Sequence, residues 1–431
     1  VTDSAVPRVS RSGTQLAFVK AQLDEFLFGL AVIVGFVGLM EPRHLWGRYS
    51  ILESALAVLV LSLVAWRYSP RRPRVPLLLP LGGLLLLMAA SALWSYASWE
   101  TVRDVTTYAI LALGAWVIVR SARLQTVVLA IVVAGALVLG ASTALLLVSP
   151  ADALFYETSG FQGIYGNRNT LAFVMTLALP AALTVRVSGW LGAIAKFAAA
   201  TAFLIAIGFT LSKSSWIVAA VVVLSWIGLG LLRRRRAAGI LFFGVLALGA
   251  ALAMANFSRV LLLLGKSDTI NGRTGIWTGV LDAIAQRPIV GFGWSRSWPA
   301  GSPHSERVSQ ELAAGHVVFH AHNELLNWLV TLGVLGAVLV LVLYVFAVCA
   351  GIRIWWGNQQ AVFLWLPITA VAVIARGFSD ISETNAQGWF VFMLVLASCA
   401  KYLPVDSRIA RSRVLLSGRS ESAEPGAVPR P

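Results

Sequence analysis

Four of the chain's five histidines fall between His304 and His322, and the stretch closes with His320-Ala321-His322-Asn323-Glu324 directly before a long apolar run. Imidazole takes up and returns a proton near neutral pH, so a histidine placed where a polar loop re-enters a bilayer suits general-base chemistry. His322 is the candidate base, with Asn323 and Glu324 as neighbours able to fix its tautomer. His316 and His320 are four residues apart and could share a helix face as zinc ligands. The loop has no cysteine and few carboxylates to complete such a set, so no metal is expected there. The alternative for these histidines is a solvated surface role.

Other polar clusters interrupt the apolar chain. Gly163-Ile164-Tyr165-Gly166-Asn167-Arg168-Asn169-Thr170 forms a lip before an apolar run, where Asn169 or Thr170 can cap a helix. It reads either as a cap with an interfacial tyrosine or as a lip that hydrogen-bonds a sugar or phosphate. Thr210-Leu211-Ser212-Lys213-Ser214-Ser215 sits between two apolar runs. An ammonium at that depth snorkels to the surface or meets an anion, and hydroxyls at a helix start suit a phosphate. Arg273 opens a segment with apolar residues at helical spacing (276, 277, 280, 281 and 284), stopped at Arg287-Pro288. An arginine in a first turn opposes the macrodipole unless an anion joins it; pairing with Asp268 is the simpler account. Gly291-x-Gly293 lacks the strand and third glycine of a nucleotide fingerprint, while Trp294 and Trp298 could platform a sugar or anchor the loop. Arg376-Gly377-Phe378-Ser379-Asp380-Ile381-Ser382-Glu383 reads as an internal ion network or a substrate contact.

The elements that must position these residues are apolar runs of about 17–25 residues, the length of a bilayer-crossing helix. About twelve are expected, at 26–42, 51–67, 76–94, 103–119, 125–148, 169–186, 190–211, 214–232, 238–256, 323–349, 360–375 and 387–402. With a cytoplasmic N-terminal segment (1–25), alternation sends Arg67 to Arg74, Arg120, Arg123, Arg233 to Arg236, Arg353 and the basic tail (403–431) to the cytoplasm. That satisfies the positive-inside rule and puts both termini inside. The N-terminal segment lacks the apolar stretch of a cleaved signal, and the Ser/Arg/Gly/Pro tail reads as disordered. Outside lie 43–50, 95–102, 149–168, the break near 212, one long loop with short helices (257–322) and 376–386. The candidate residues therefore share the extracytoplasmic face.

Composition limits the function classes. Hydrophobic residues make up 58% and charged residues 12%, against about a quarter charged in soluble domains: the fold class is an all-α polytopic membrane protein. The net charge of +15 sits in short blocks between apolar runs, which marks topology and contacts to membrane lipids, so no nucleic-acid partner is expected. Cys349 and Cys399 lie in apolar runs without metal-ligand spacing. A transporter would spread polar residues through the membrane depth and over both faces, whereas here they gather on one.

In order along the chain, Gly166 to Ala172, Thr210-x-Ser212-Lys213, Arg273 with Trp277, Pro288-x-x-Gly291-x-Gly293, and His322-Asn323 with Leu326 and Gly333 resemble the O-antigen ligase / O-antigen polymerase superfamily over residues 150–390. The resemblance implies a glycosyltransferase of the bacterial cytoplasmic membrane, independent of metal and cofactor. It would move a glycan from a polyprenyl-diphosphate carrier to a glycan or lipid acceptor at the outer face, with inversion. It carries His322 over as the base and Arg273 as the catalytic diphosphate-binding arginine. Lys213 stands where the family usually has arginine and keeps the charge without the bidentate fork. With Arg168, Asn169, Ser212, Asn323 and Arg376 it makes the expected diphosphate- and glycan-binding set. A polymerase differs only in its acceptor.

Overall fold

The computed structural model describes residues 11–39, 50–68, 78–256, 273–310 and 318–403. His316, Asp268 with its proposed pairing to Arg273, the caps assigned to Thr269 or Asn271, and the tail beyond 403 lie outside them. Fifteen α-helices follow in chain order among the described residues: α1 Arg11–Gly38, α2 Ser50–Tyr68, α3 Leu79–Ala90, α4 Ser98–Ser121, α5 Leu124–Val148, α6 Pro150–Ala153, α7 Arg168–Thr184, α8 Gly189–Phe209, α9 Lys213–Arg234, α10 Arg236–Ala255, α11 Arg273–Gln286, α12 Pro303–Gln310, α13 Glu324–Gly357, α14 Trp365–Gly377 and α15 Ala386–Tyr402. No strand occurs among these residues beyond one isolated bridge, Leu154 to Phe161.

Each expected span coincides with a helix. Six helices (α4, α5, α8, α9, α10 and α13) are long and apolar enough to cross a membrane, and three shorter apolar helical stretches run Leu79–Leu93, Ala361–Gly377 and Ala386–Tyr402. The chain is an all-helical, multi-pass membrane protein. Large side chains such as Tyr108, Trp365 and Trp389 are buried in the interior of the bundle, while Leu241, Val245 and Leu248 of α10 stay exposed, as apolar residues facing lipid do.

The α13 helix is not continuous. At about 1.5 Å per residue its 34 residues would reach roughly 51 Å, well beyond a hydrocarbon core of about 30 Å. It breaks at Gly333, whose φ of 63° and ψ of −163° leave the helical region, so the expected span 323–349 is a short entry helix followed by a long one. The strap after α11 fills the break. Phe292 and Gly293 donate N–H bonds to the carbonyls of Val330 (2.9 Å) and Thr331 (2.9 Å), and Val334 N–H reaches the Pro288 carbonyl at 2.8 Å. The spacing Pro288-x-x-Gly291-x-Gly293 thereby acquires its cause. Gly291 (φ 64°) and Gly333 press backbone against backbone, and a Cβ on Gly333 would lie 2.2 Å from the Ile289 carbonyl.

The strap ends at Trp294, buried against Tyr108 of α4 with ring centroids 4.7 Å apart. Its backbone N–H bonds to Ser91 Oγ, and its carbonyl accepts from Thr101. Trp298 is equally buried. Both tryptophans anchor the loop, and the reading of either as a sugar platform is corrected: no ring face is open.

Replacing Gly333 by alanine is expected to lower native stability by at least about 2 kcal/mol through strain and contact, read as a lower melting temperature in detergent. Gly140→Ala on α5, where a Cβ meets nothing within 4 Å, serves as the unaffected control.

Candidate active site

The segments carrying the candidate residues meet at one end of the bundle. The lip joins the α8–α9 break through the Phe161 N–H bond to the Phe209 carbonyl. The break joins α14 through Arg376, whose Nη1 lies 3.2 Å from Ser215 Oγ and 3.5 Å from Ser214 Oγ. Arg273 Nη1 donates to the carbonyl of Ser379, and Asn323 Nδ2 to that of Phe378 at 3.3 Å. At the opposite end, Arg233 binds the carbonyl of Asn358, and Lys401 binds those of Val119 and Ala122.

His322 stands just before α13, with φ 48°. A left-handed conformation costs a non-glycine residue on the order of 1 kcal/mol or more, and its neighbours hold it there. Its N–H donates to His320 Nδ1 at 3.3 Å, the Ala321 N–H to Asn327 Oδ1 at 3.3 Å, and Trp277 Nε1 to the Ala321 carbonyl at 3.0 Å. Among the described residues the other non-glycines at positive φ are Ser159 and Leu211, in the lip loop and the break. Backbone strain is concentrated where the chemistry is expected.

The partner of His322 differs from the expectation. Asn323 caps α13, its Oδ1 accepting from Leu326 N–H at 3.1 Å. Glu324 turns into the bundle, where its carboxylate accepts from the Ser382 N–H (2.6 Å) and from the Thr384 N–H (2.9 Å) and hydroxyl (2.7 Å). Neither is placed to set the His322 tautomer. Asp380 is: its Oδ1 lies 3.3 Å from His322 Nδ1, and its Oδ2 accepts from Arg376 Nη2 at 2.8 Å. Burial opposes ionisation of Asp380, but the Arg376 guanidinium and both imidazoles hold it well below the usual carboxylate range. A carboxylate on Nδ1 favours Nδ1–H and leaves Nε2 its lone pair. The His322 Nδ1 is buried while its side chain as a whole is a third exposed, so the open edge of the ring is the other one. The signal for Asp380 was an acid one helical turn beyond Arg376, visible only as an ion network.

Two arginines flank this pair, and further cations lie on the neighbouring segments. Arg376 is 4% exposed and its guanidinium lies 5.3 Å from the Phe173 ring of α7; Arg273 feels the charges of both Asp380 and Arg376. Lys213 occupies the first turn of α9 behind Ser212, which is buried and 3.1 Å from Ser215 Oγ. The N-terminus of α9, which has no side-chain cap, adds its partial positive charge. Arg168 binds Thr158 Oγ1 at 2.8 Å and packs on Phe155, close enough that a Cβ on Gly160 would touch both its Cδ and the Thr210 carbonyl. The cap of α7 is Asn167, which accepts from the Asn169 N–H at 2.8 Å; the assignment of that cap to Asn169 or Thr170 is corrected.

Among the described residues, His320, His322 and Asp380 form the group able to hold a metal ion, with ligand atoms within 4.8 Å of one another. Arg376 already occupies one oxygen of Asp380, and Arg273 adds further positive charge, which opposes a divalent cation at the same carboxylate. The arrangement favours an anion beside the imidazole.

His304 lies apart, buried between Phe292 and Trp298 at centroid distances of 5.0 and 5.3 Å. Burial, with Arg287 adding, pushes its pKa down to about 4. His320 falls to about 4 as well, through burial and then through His322 and the arginines, with Asp380 opposing. Native imidazoles of this kind stay neutral while the unfolded chain takes up protons, so stability is full above the unfolded value of 6.5 and falls as pH drops towards about 4. Replacing His304 by leucine is expected to remove about half of that acid-side loss, read from melting temperatures across the window.

Residues 197–341 match the family model described as O-Antigen ligase, a span that holds the α8–α9 break, Arg273, the strap and His322. The chain is also 27% identical over 325 residues to the "Exopolysaccharide production protein ExoQ" of Rhizobium meliloti (strain 1021), covering 67% of this chain and 74% of that protein. A kinked entry helix, a histidine at its head and cations at neighbouring helix starts thus lie inside the segment that is similar to the O-antigen ligase family, and the similarity supports a membrane enzyme of the ligase/polymerase type.

Proposed function

We propose that the protein transfers a glycan from a polyprenyl-diphosphate carrier to an acceptor hydroxyl, at the outer face of the bacterial cytoplasmic membrane. The reading takes the twelve helical spans as crossings with both termini inside, which puts 257–322 and the site outside. One observation carries it: a histidine whose Nδ1 faces a carboxylate, flanked by Arg273 at a helix start and Arg376 at a helix end.

In this mechanism Nε2 of His322 removes the proton from the acceptor hydroxyl. The oxygen attacks the anomeric carbon from the face opposite the carrier, forming the new glycosidic bond. The bond from that carbon to the diphosphate oxygen breaks, and the electron pair leaves with the polyprenyl diphosphate, so the sugar inverts. Arg273, Arg376 and Lys213 stabilise the charge growing on the leaving group, the preorganised electrostatic contribution that is commonly the largest in catalysis. Asp380 holds the imidazole and stabilises it once protonated, and His320 fixes its backbone. With these cations on the leaving group, the step needs no metal.

The acceptor is a lipid or surface component in the ligase reading. The relative's printed role in exopolysaccharide production favours a second reading, in which a growing glycan chain is the acceptor and the reaction is polymerisation.

Purified protein given a polyprenyl-diphosphate glycan and candidate acceptors is expected to release polyprenyl diphosphate in EDTA. His322→Ala should reduce turnover by at least about 100-fold, the contribution of a general base. Undiminished turnover in that variant would overturn the assignment, and glycan crossing liposomes without bond cleavage would favour a transporter. Lys213→Arg should retain activity, whereas Lys213→Met should lose about tenfold or more; equal rates would remove Lys213 from the diphosphate site.

A further inference from the structure

A groove of about 370 Å³ opens towards the lipid between α8 and α9, directly below the break that carries Ser212 and Lys213. Leu204, Ile207 and Gly208 line it from the last turns of α8, and Trp216, Ala220 and Val223 from the first three turns of α9. We infer that this groove seats the isoprenoid chain of the lipid-linked donor, with its diphosphate at Lys213; the inference rests on the donor class proposed above.

Helix register joins the two parts. Residues three and four apart share a helix face, so Lys213, Trp216, Ala220 and Val223 form one stripe down α9. Ser212 and Ser215 belong to the neighbouring stripe, which meets Arg376. A diphosphate at the head of the groove stands between Lys213 on one stripe and the arginine on the other. From Lys213 to Val223 the stripe descends about 15 Å, half of a hydrocarbon core of about 30 Å. A chain entering from the bilayer therefore reaches the cations without its apolar part leaving the lipid depth.

The groove is held open by small residues and one bridge. A Cβ on Gly208 meets nothing within 4 Å, and Ala220 adds a single methyl group. Trp216 Nε1 donates to the Ile207 carbonyl at 3.0 Å, clipping its indole across the two helices at the upper end. That ring is 41% exposed, an apolar surface one turn beneath the ammonium. The acceptor, which brings a hydroxyl to the open edge of His322, does not need this path.

The test is calorimetric binding of polyprenyl diphosphate and of geranyl diphosphate, neither bearing a sugar, to the detergent-solubilised full chain. The long chain is expected to bind on the order of tenfold more tightly or better, as added apolar burial dictates. Gly208→Leu should collapse that ratio towards one and leave geranyl diphosphate unchanged. Ala220→Leu, at an exposed position, gives the same readout should the glycine variant fail to fold. Gly244→Leu on α10, also into open space, should keep the ratio.

A ratio that survives both fillings, or an equal loss for both ligands, overturns the seat. So does a filling that alters only the Michaelis constant for the acceptor, which would make the groove the acceptor's. Because the measurement needs no turnover, it separates the two readings. Chain-length preference lost on filling, in a wild-type protein that transfers no glycan, would leave the groove standing and remove the transferase. Transfer that proceeds with an unaltered ratio in the filled variants would do the reverse.

Discussion

A helix broken inside a membrane-spanning bundle releases carbonyl and N–H groups that lipid cannot satisfy, and each costs several kcal/mol if left alone. The break at Gly333 is the constraint on which the site depends. The strap 288–294 meets it from the side, taking the Val330 and Thr331 carbonyls and returning the Pro288 carbonyl to Val334. That exchange ends the entry helix early, so His322 lies at the mouth of the bundle and not along the flank of one continuous helix. It also tethers the long loop, because the same strap drives Trp294 between α3 and α4. Arg273, at the head of the helix leading into the strap, is thereby brought to Ser379.

The charges follow from that geometry. Three helix starts, those of α9, α11 and α13, contribute Lys213, Arg273 and His322, and α14 ends on Arg376 and runs into Asp380. A single carboxylate stands among them, shared between an arginine and an imidazole. Such a set is unfavourable when empty, since like charges repel and the guanidinium of Arg376 is buried. An anion arriving among them would relieve that repulsion. The carboxylate lies 3.3 Å from Nδ1 of the imidazole beside it.

Much of this was legible from residue order. Hydropathy located the apolar helices, six of them long enough to cross a membrane, and the polar interruptions at 166–170, 210–215, 273, 322 and 376 share one end. What was hidden depends on the third dimension. Asp380 read as a member of a local arginine network, because sequence spacing cannot say that it also reaches an imidazole 58 positions earlier. Glu324 looked like the natural orienter of its neighbour, yet helix direction turns it inward to Ser382 and Thr384. Trp294 and Trp298 carried an equal signal for stacking and for anchoring, and burial alone decides between them. The capping of α7 was misplaced by two or three residues, an ordinary uncertainty of helix ends.

The inward turn of Glu324 has a mechanical meaning. Its two oxygens clasp the backbone of the segment 382–384 from the first residue of α13, and Tyr344 further along the same helix holds Glu383 at 2.7 Å. The loop that bears Asp380 is therefore tied to α13 on both sides of the Gly333 break, by Glu324 before it and by Tyr344 beyond it. Histidine and carboxylate are thereby fixed to one another through the backbone as well as through their side chains, so a change that frees Glu324 would loosen the spacing of the pair.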